Sequence, residues 1–404
     1  MRILNINKLQ KTLLFLFYLT IIFSGLNKII GIFYIVFPII LILLLLLLNG
    51  FIIHKSFLIF LMIFLLPIIP TLFDEDISNP IKIYAIGRYS FCLFALIPFH
   101  FKKNKIETSI FENIYVSIII MGGLSLLYQV IFGPIVGLAE PGERVGLVRY
   151  STLMGSITVF SVAQPLALGF VLKNYLGFKK TILSIVLISL GLLSLSKTVL
   201  AGDILVILIY TLFNIKFNIK IFFKLVKNVL ILILLILLVY SIIKGTILDE
   251  YFCNIFEYFK VVFGINDKAL GAGQNESISE NSSIRFLEYS IPSMKALYLD
   301  NGIIGFFFGG GLYYLGNAVL PFSEANIDMP HVNYIDFLVS GGGIMLIGMI
   351  FFIVRKTYNI IKQKKYHYLT IYLFTFFVLF TSSSFHFHPA SSIIFYMLFF
   401  KNKI

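Results

Sequence analysis

Apolar runs long enough to cross a bilayer recur along the whole of this 404-residue chain, and they leave it few other folds. A helix needs about 20 residues to span roughly 30 Å of hydrocarbon. Twelve runs reach or approach that length: 9 to 25, 29 to 48, 56 to 73, 83 to 100, 113 to 133, 152 to 172, 181 to 196, 199 to 213, 226 to 244, 334 to 354, 367 to 384 and 389 to 400. With 59% hydrophobic and 13% charged residues, the chain is expected to be an all-α polytopic membrane protein of about twelve transmembrane helices. Residues 1–244 would carry helices 1–9, residues 245–333 a large external loop, and residues 334–404 helices 10–12. The first run is expected to persist as a helix, because no small-residue cleavage site follows it and a second span begins almost at once. The net charge of +13 would suit a nucleic-acid binder, but these cations sit between runs too long for a soluble core, so no nucleic-acid partner is expected. The two cysteines, Cys92 in an apolar stretch and Cys253 in a polar one, make no disulfide framework.

Lys and Arg collect where the cytoplasmic loops would be. With the N-terminus inside, the inner segments hold 21 of the 32 basic residues, whereas of 19 acids only Glu107 and Glu112 are inside, Asp203 is intramembrane and 16 are outside. Much of the positive charge is therefore topology.

The outer side carries the less generic features. From about Gly245 to His331 no clear span occurs, and Asn275 to Ser283 is a polar stretch of Asn, Glu and Ser. Within this loop Ile284, Leu287, Ile291, Met294 and Leu297 recur at helical spacing, with Arg285, Glu288 and Lys295 on more polar faces. The pattern predicts an amphipathic helix on the membrane surface, kinked near Pro292. A shorter outer loop, Pro134 to Tyr150, contains Arg144 and Arg149.

A charge in the hydrocarbon costs about 2.5 to 3.5 kcal/mol on insertion scales, so Arg88, Lys197 and Asp203 need partners or a watery cavity. Lys197 sits in Ser194-Leu195-Ser196-Lys197-Thr198, where two short apolar runs meet as if the chain turns. On one reading Lys197 snorkels to the interface with Asp203 as its partner, and Arg88 is half of a structural ion pair. On the other, Arg88, Arg144, Arg149, Lys197 and Arg285 converge on an outer cavity for an anionic group, and phosphate or pyrophosphate fits guanidinium geometry best. His331, in Pro330-His331-Val332-Asn333-Tyr334-Ile335-Asp336, is either an interface residue or a general base kept neutral by nearby cations. His386 and His388 lack a neighbouring carboxylate, so no metal site is read from them. Gly309 to Gly311 lack the Lys-Ser/Thr of a phosphate-binding loop, and Gly341 to Gly343 suit close helix packing.

Several of these features fall in a familiar order. Glu143-Arg144-Val145-Gly146-Leu147-Val148-Arg149-Tyr150 precedes a span; Ser194 to Thr198 forms a Ser-x-Ser-basic-Thr turn; and a long outer loop follows. That loop runs through Ser282-Ser283-Ile284-Arg285 and Gly305 to Gly311 to His331-Val332-Asn333-Tyr334, and leads into Gly341. Over about residues 140 to 355 the order resembles the O-antigen polymerase (Wzy) and O-antigen ligase (WaaL) superfamily of bacterial lipid-linked glycan transferases. The chain departs from the ligase pattern at Lys197, where an Arg is usual, and Val332 separates His331 from Asn333. The resemblance implies a GT-C-like fold in the bacterial inner membrane, with the site on the periplasmic side. The donor would be an undecaprenyl pyrophosphate-linked oligosaccharide, and no cofactor or metal would be needed. Arg285, Lys197, Arg149, Arg144 and Arg88 would serve the pyrophosphate, and His331 would accept the proton of an acceptor hydroxyl that attacks with inversion. A chain-length regulator and a flippase are the protein partners implied.

Polymerase is preferred to ligase because the ligase-type Arg is replaced. A polysaccharide transporter would also have twelve spans, but no internal six-plus-six similarity is visible. A non-catalytic assembly scaffold is a further alternative.

Overall fold

The computed structural model describes residues 6–31, 33–49, 62, 65–74, 77–95, 97–100, 108–138, 141–144, 147–155, 157–214, 244–245, 290–318, 333–363, 366–381 and 390. These residues are mostly helical. The helices are α1 (Ile6–Ile22), α2 (Phe33–Asn49), α3 (Ile68–Phe73), α4 (Asn79–Phe94), α5 (Thr108–Phe132), α6 (Ile157–Asn174), α7 (Gly177–Leu192), α8 (Lys197–Asn214), α9 (Ile291–Phe308), α10 (Asn333–Lys362) and α11 (Tyr366–Thr381). A two-stranded antiparallel hairpin, β1 (Gly142–Arg144) and β2 (Leu147–Arg149), lies between α5 and α6.

Helices therefore occupy nine of the expected spans, from α1 at 9 to 25 through α11 at 367 to 384, with only the end of the 56 to 73 span added by α3. The spans expected at 226 to 244 and 389 to 400 lie almost wholly outside the described residues. Among the described residues, three helical segments are long and apolar enough to cross a membrane: Ser109–Phe132, Ile157–Asn174 and Tyr334–Lys362. Large apolar side chains also stand exposed, among them Phe33, Leu47, Leu212, Ile304, Ile347 and Phe351. Such a surface is costly in water and suits lipid.

Helix α6 is the axis of the bundle. Every residue from Val159 to Val171 is buried, which fits a helix that is apolar all round rather than striped. It packs against α5, α7, α8 and α11. Small residues set the spacing. A Cβ at Gly202 of α8 would lie 2.7 Å from Phe374 of α11 and 2.8 Å from Pro165 of α6, and one at Gly123 of α5 would lie 2.8 Å from Leu190 of α7.

A second unit is built from α9 and α10, each broken at a glycine with positive φ: Gly302 (φ 58°) and Gly342 (φ 72°). The expected kink at Pro292 is absent. Pro292 sits instead in the first turn of α9, where its missing N–H leaves no bond unmade. Ile284 and Leu287 of the predicted stripe lie outside the described residues, and of its described members, Ile291, Met294 and Leu297, only Leu297 is fully buried; the packed face is Ser293, Leu297 and Gly305, while Ile303, Ile304, Phe307 and Phe308 stand exposed. The extended Gly309–Gly311 segment then donates from Gly310 N–H to Val339 O (2.9 Å) and from Gly311 N–H to Ser340 O (3.1 Å). Leu312 N–H donates to Thr71 Oγ1 (2.8 Å), which ties α3 to the same crossing.

That crossing gives a direct test. A Cβ at Gly342 would meet Phe307 O at 2.2 Å, and its backbone angles are open essentially to glycine alone, so Gly342→Ala should cost at least the 1–3 kcal/mol of such strain. Gly348, in the same helix, has nothing within 4 Å of its Cβ position, and Gly348→Ala should stabilise by about 0.5–1 kcal/mol. Thermal unfolding of the purified variants in detergent should move in opposite directions.

Candidate functional site

The bundle has two chemically distinct ends. At one, Glu112 near the start of α5 is fully buried and accepts two hydrogen bonds from Lys173 Nζ near the end of α6, at 2.6 and 2.7 Å. Asn174 Nδ2 donates to the same carboxylate (2.7 Å), and Lys173 Nζ lies 3.9 Å from the Tyr368 ring centroid, at the start of α11. Lys180, at the start of α7, donates to the Tyr210 hydroxyl near the end of α8 (3.1 Å). This end holds lysines that the charge count assigns to the cytoplasm.

The opposite end gathers the end of α5, the start of α6, the end of α7 and the start of α8. The start of α10 joins them, because Tyr334 packs its ring on Phe376, on the far side of α11 from Tyr368. Here the expected Arg loop is the hairpin. Its register pairs Gly142 with Arg149 and Arg144 with Leu147, so positions 144 and 149 fall on one face of the ribbon. Arg149 is half-buried, with its Nε inaccessible to solvent.

Residues 151–155 hold the hairpin in place. Gln129 Nε2 of α5 donates to Ser151 O (2.7 Å), and Leu153 N–H donates to Ser125 Oγ (3.2 Å). On the other side Gly25 N–H donates to Leu153 O (3.0 Å) and Ser24 Oγ to Met154 O (2.8 Å). The segment thus bridges the ends of α5 and α1. Gly25 permits this approach: a Cβ there would lie 2.9 Å from both Gly155 N and Leu153 O.

The expected turn at Ser194–Thr198 is a turn. Ser194 Oγ donates to Gly191 O (2.6 Å) and caps the last carbonyls of α7. Leu195 then takes φ +49°, left-handed backbone that a bulky residue rarely adopts, with its side chain buried to 1% exposure. Sparsely populated angles of this kind cost of order 1–3 kcal/mol and persist where the surroundings over-determine them. Lys197 opens α8, whose first turn contains no acid. A cation at a helix N-terminus opposes the macrodipole, whereas the same N–H groups attract an anion.

Deeper in the same helices, Gln164 Nε2 of α6 donates to Leu187 O of α7 (2.9 Å) and to Asp203 Oδ2 of α8 (3.2 Å). Gln164 is the described hydrogen-bond partner of Asp203; the Lys197 side chain, its partner on one reading of the sequence, lies outside the described side chains. The sequence reading missed Gln164 and Gln129. The available signal was an amide inside an otherwise apolar helix, which must find partners when it is buried.

The remaining candidates are dispersed. Arg88 is exposed on α4, whose described packing is against α3. Arg144 and Lys197 have described backbone positions only. Arg285, His331, His386 and His388 lie outside the described residues. A polar set not foreseen joins α9 to the 3-10 turn after it: Tyr314 hydroxyl donates to Asp300 Oδ2 (2.7 Å) and accepts from Asn301 Nδ2 (2.9 Å). Burial and the bond to Asp300 push the Tyr314 hydroxyl above its ordinary range, so it stays a neutral donor. No family model, curated protein or solved structure matches this chain.

Proposed function

We propose that this protein is a glycosyltransferase of the bacterial cytoplasmic membrane that polymerises lipid-linked repeat units of a surface polysaccharide. The observation that supports this most is the shared end of the bundle. The Arg144–Arg149 hairpin, the Ser194–Thr198 turn that starts α8 at Lys197, and the start of α10 two residues after His331 all belong to it. It is also the end opposite the lysine-rich one. An anionic leaving group at a membrane interface calls for cations and helix N–H donors. In the proposed reaction an acceptor hydroxyl oxygen bonds to the anomeric carbon as the carbon–oxygen bond to pyrophosphate breaks. His331 takes the hydroxyl proton, and Arg285 with Lys197 and Arg149 neutralises the departing undecaprenyl pyrophosphate.

One observation favours a second reading, a polysaccharide transporter, because transporter sites are built on interrupted helices and α9 and α10 are interrupted at Gly302 and Gly342. At Gly342, however, the opening is filled by backbone: a Cβ there would lie 2.2 Å from Phe307 O. That part of the crossing closes on itself instead of lining a cavity.

Surface glycan from a strain lacking this protein decides among the readings. Single repeat units on the lipid anchor, with no longer chains, support the polymerase. Polymer accumulating on undecaprenyl pyrophosphate points to the ligase, and lipid-linked units trapped at the cytoplasmic face point to the transporter. An unchanged polysaccharide removes all three.

A further inference from the structure

Gln164 and Asp203 leave two adjacent buried oxygens without a hydrogen-bond donor among the described residues. Both side chains are buried, Gln164 fully and Asp203 to 5% exposure. The orientation of the amide is fixed by its partners: Leu187 O and Asp203 Oδ2 both require a donor, so Nε2 faces them and Oε1 is the acceptor. Gln164 Oε1 and Asp203 Oδ1 then have no hydrogen-bond partner among the described residues. Two acceptors without a donor on two adjacent buried groups mean that something carrying a donor or a positive charge belongs between them.

The surroundings limit what that is. Around the pair, α7 offers Leu187 and Gly191, α8 offers Val199 and Gly202, and α11 offers Phe374. None of these side chains titrates or ligates. On the same elements Lys173 is committed to Glu112, Lys180 to Tyr210, and the Tyr372 hydroxyl to Ile353 O. On α8 itself Lys197 stands six residues before Asp203 and Tyr210 seven residues after it. A metal cation needs several oxygen ligands, and this site offers two free ones. A proton needs only these two.

We propose that Asp203 binds a proton and pairs with Gln164 as a carboxylic acid with an amide, a site within the bundle that holds α6, α7 and α8 together. The neutral acid presents Oδ1–H as the missing donor to Gln164 Oε1, while Oδ2 keeps the bond it already accepts from Nε2. One proton satisfies both orphan acceptors and removes a charge from the hydrocarbon. Asp203 lies roughly 9 Å along α8 from Lys197 at 1.5 Å per residue, so the pair fixes the helix that carries the Ser194–Thr198 turn. This inference stands whether or not the chain transfers glycans.

Infrared spectroscopy of the full-length protein in lipid nanodiscs tests it without an activity assay. The wild type at neutral pH should show the carbonyl stretch of a protonated, hydrogen-bonded carboxylic acid. Asp203→Asn should lose that band yet keep wild-type thermal stability, because an asparagine amide donates to Oε1 and accepts from Nε2 as the neutral acid does. Asp203→Ala should lose both band and stability. Gln164→Leu provides an independent test, since an acid without its amide partner shifts its band. A wild-type band that neither variant removes or shifts, or an Asp203→Asn protein as unstable as Asp203→Ala, would overturn the proposal.

Discussion

Glu112→Ala should destabilise the protein by about 3–5 kcal/mol, the largest stability loss expected for a single substitution in the described bundle. The carboxylate is fully buried, and Lys173, whose side chain is 11% exposed, reaches both of its oxygens. Removing the acid leaves a nearly buried ammonium with only the Tyr368 ring face, an attraction of about 0.5–2 kcal/mol, and frees Asn174 Nδ2 as well. The double variant Glu112→Leu with Lys173→Met should recover most of this loss, because the cost lies in the orphaned charge and not in the missing pair. Thermal unfolding in detergent across the four proteins of the cycle measures the coupling. Additive losses in the double variant would show that the two side chains do not depend on one another.

His331→Ala should leave a stable, inserted protein that transfers about 10²- to 10⁴-fold more slowly, the usual contribution of a positioned general base. This result belongs to the proposed transferase, in which His331 lies two residues before the start of α10. Transfer by the purified protein from a lipid pyrophosphate donor, with His386→Ala and His388→Ala alongside, separates a base from an interface residue. Equal rates in all three variants would remove His331 from the mechanism.

Periodicity and run length made the helices legible. Apolar stretches in α1, α5, α6, α10 and α11 cannot be anything else at their length, and the turn at Ser194–Thr198 was visible as a polar break between two short runs. Pairings across helices were not legible, because an apolar run says how long a helix is but not which face meets which neighbour. Lys173 was counted as a topological charge, yet it is spent on Glu112, which is 61 residues away in sequence. Asp203 suggested a partner on its own helix, and Gln164 on α6 answers it. Pro292 carried a kink in the reading because proline breaks helices, but in the first turn it breaks nothing, and the interruption went to Gly302, where φ is positive. The Arg loop became a hairpin through a register that its composition does not specify.

The bridge between α1 and residues 151–155 governs the timing of biogenesis. Ser24 and Gly25 close the end of the first helix on acceptors 128 to 130 positions downstream, at Leu153 and Met154. In the proposed membrane protein, α1 enters the bilayer during synthesis long before those acceptors exist. Its end must therefore wait, with Gly25 N–H and Ser24 Oγ held by water or by the insertion machinery, until the hairpin has been made and α6 begins to emerge. The first helix is early to insert and late to lock.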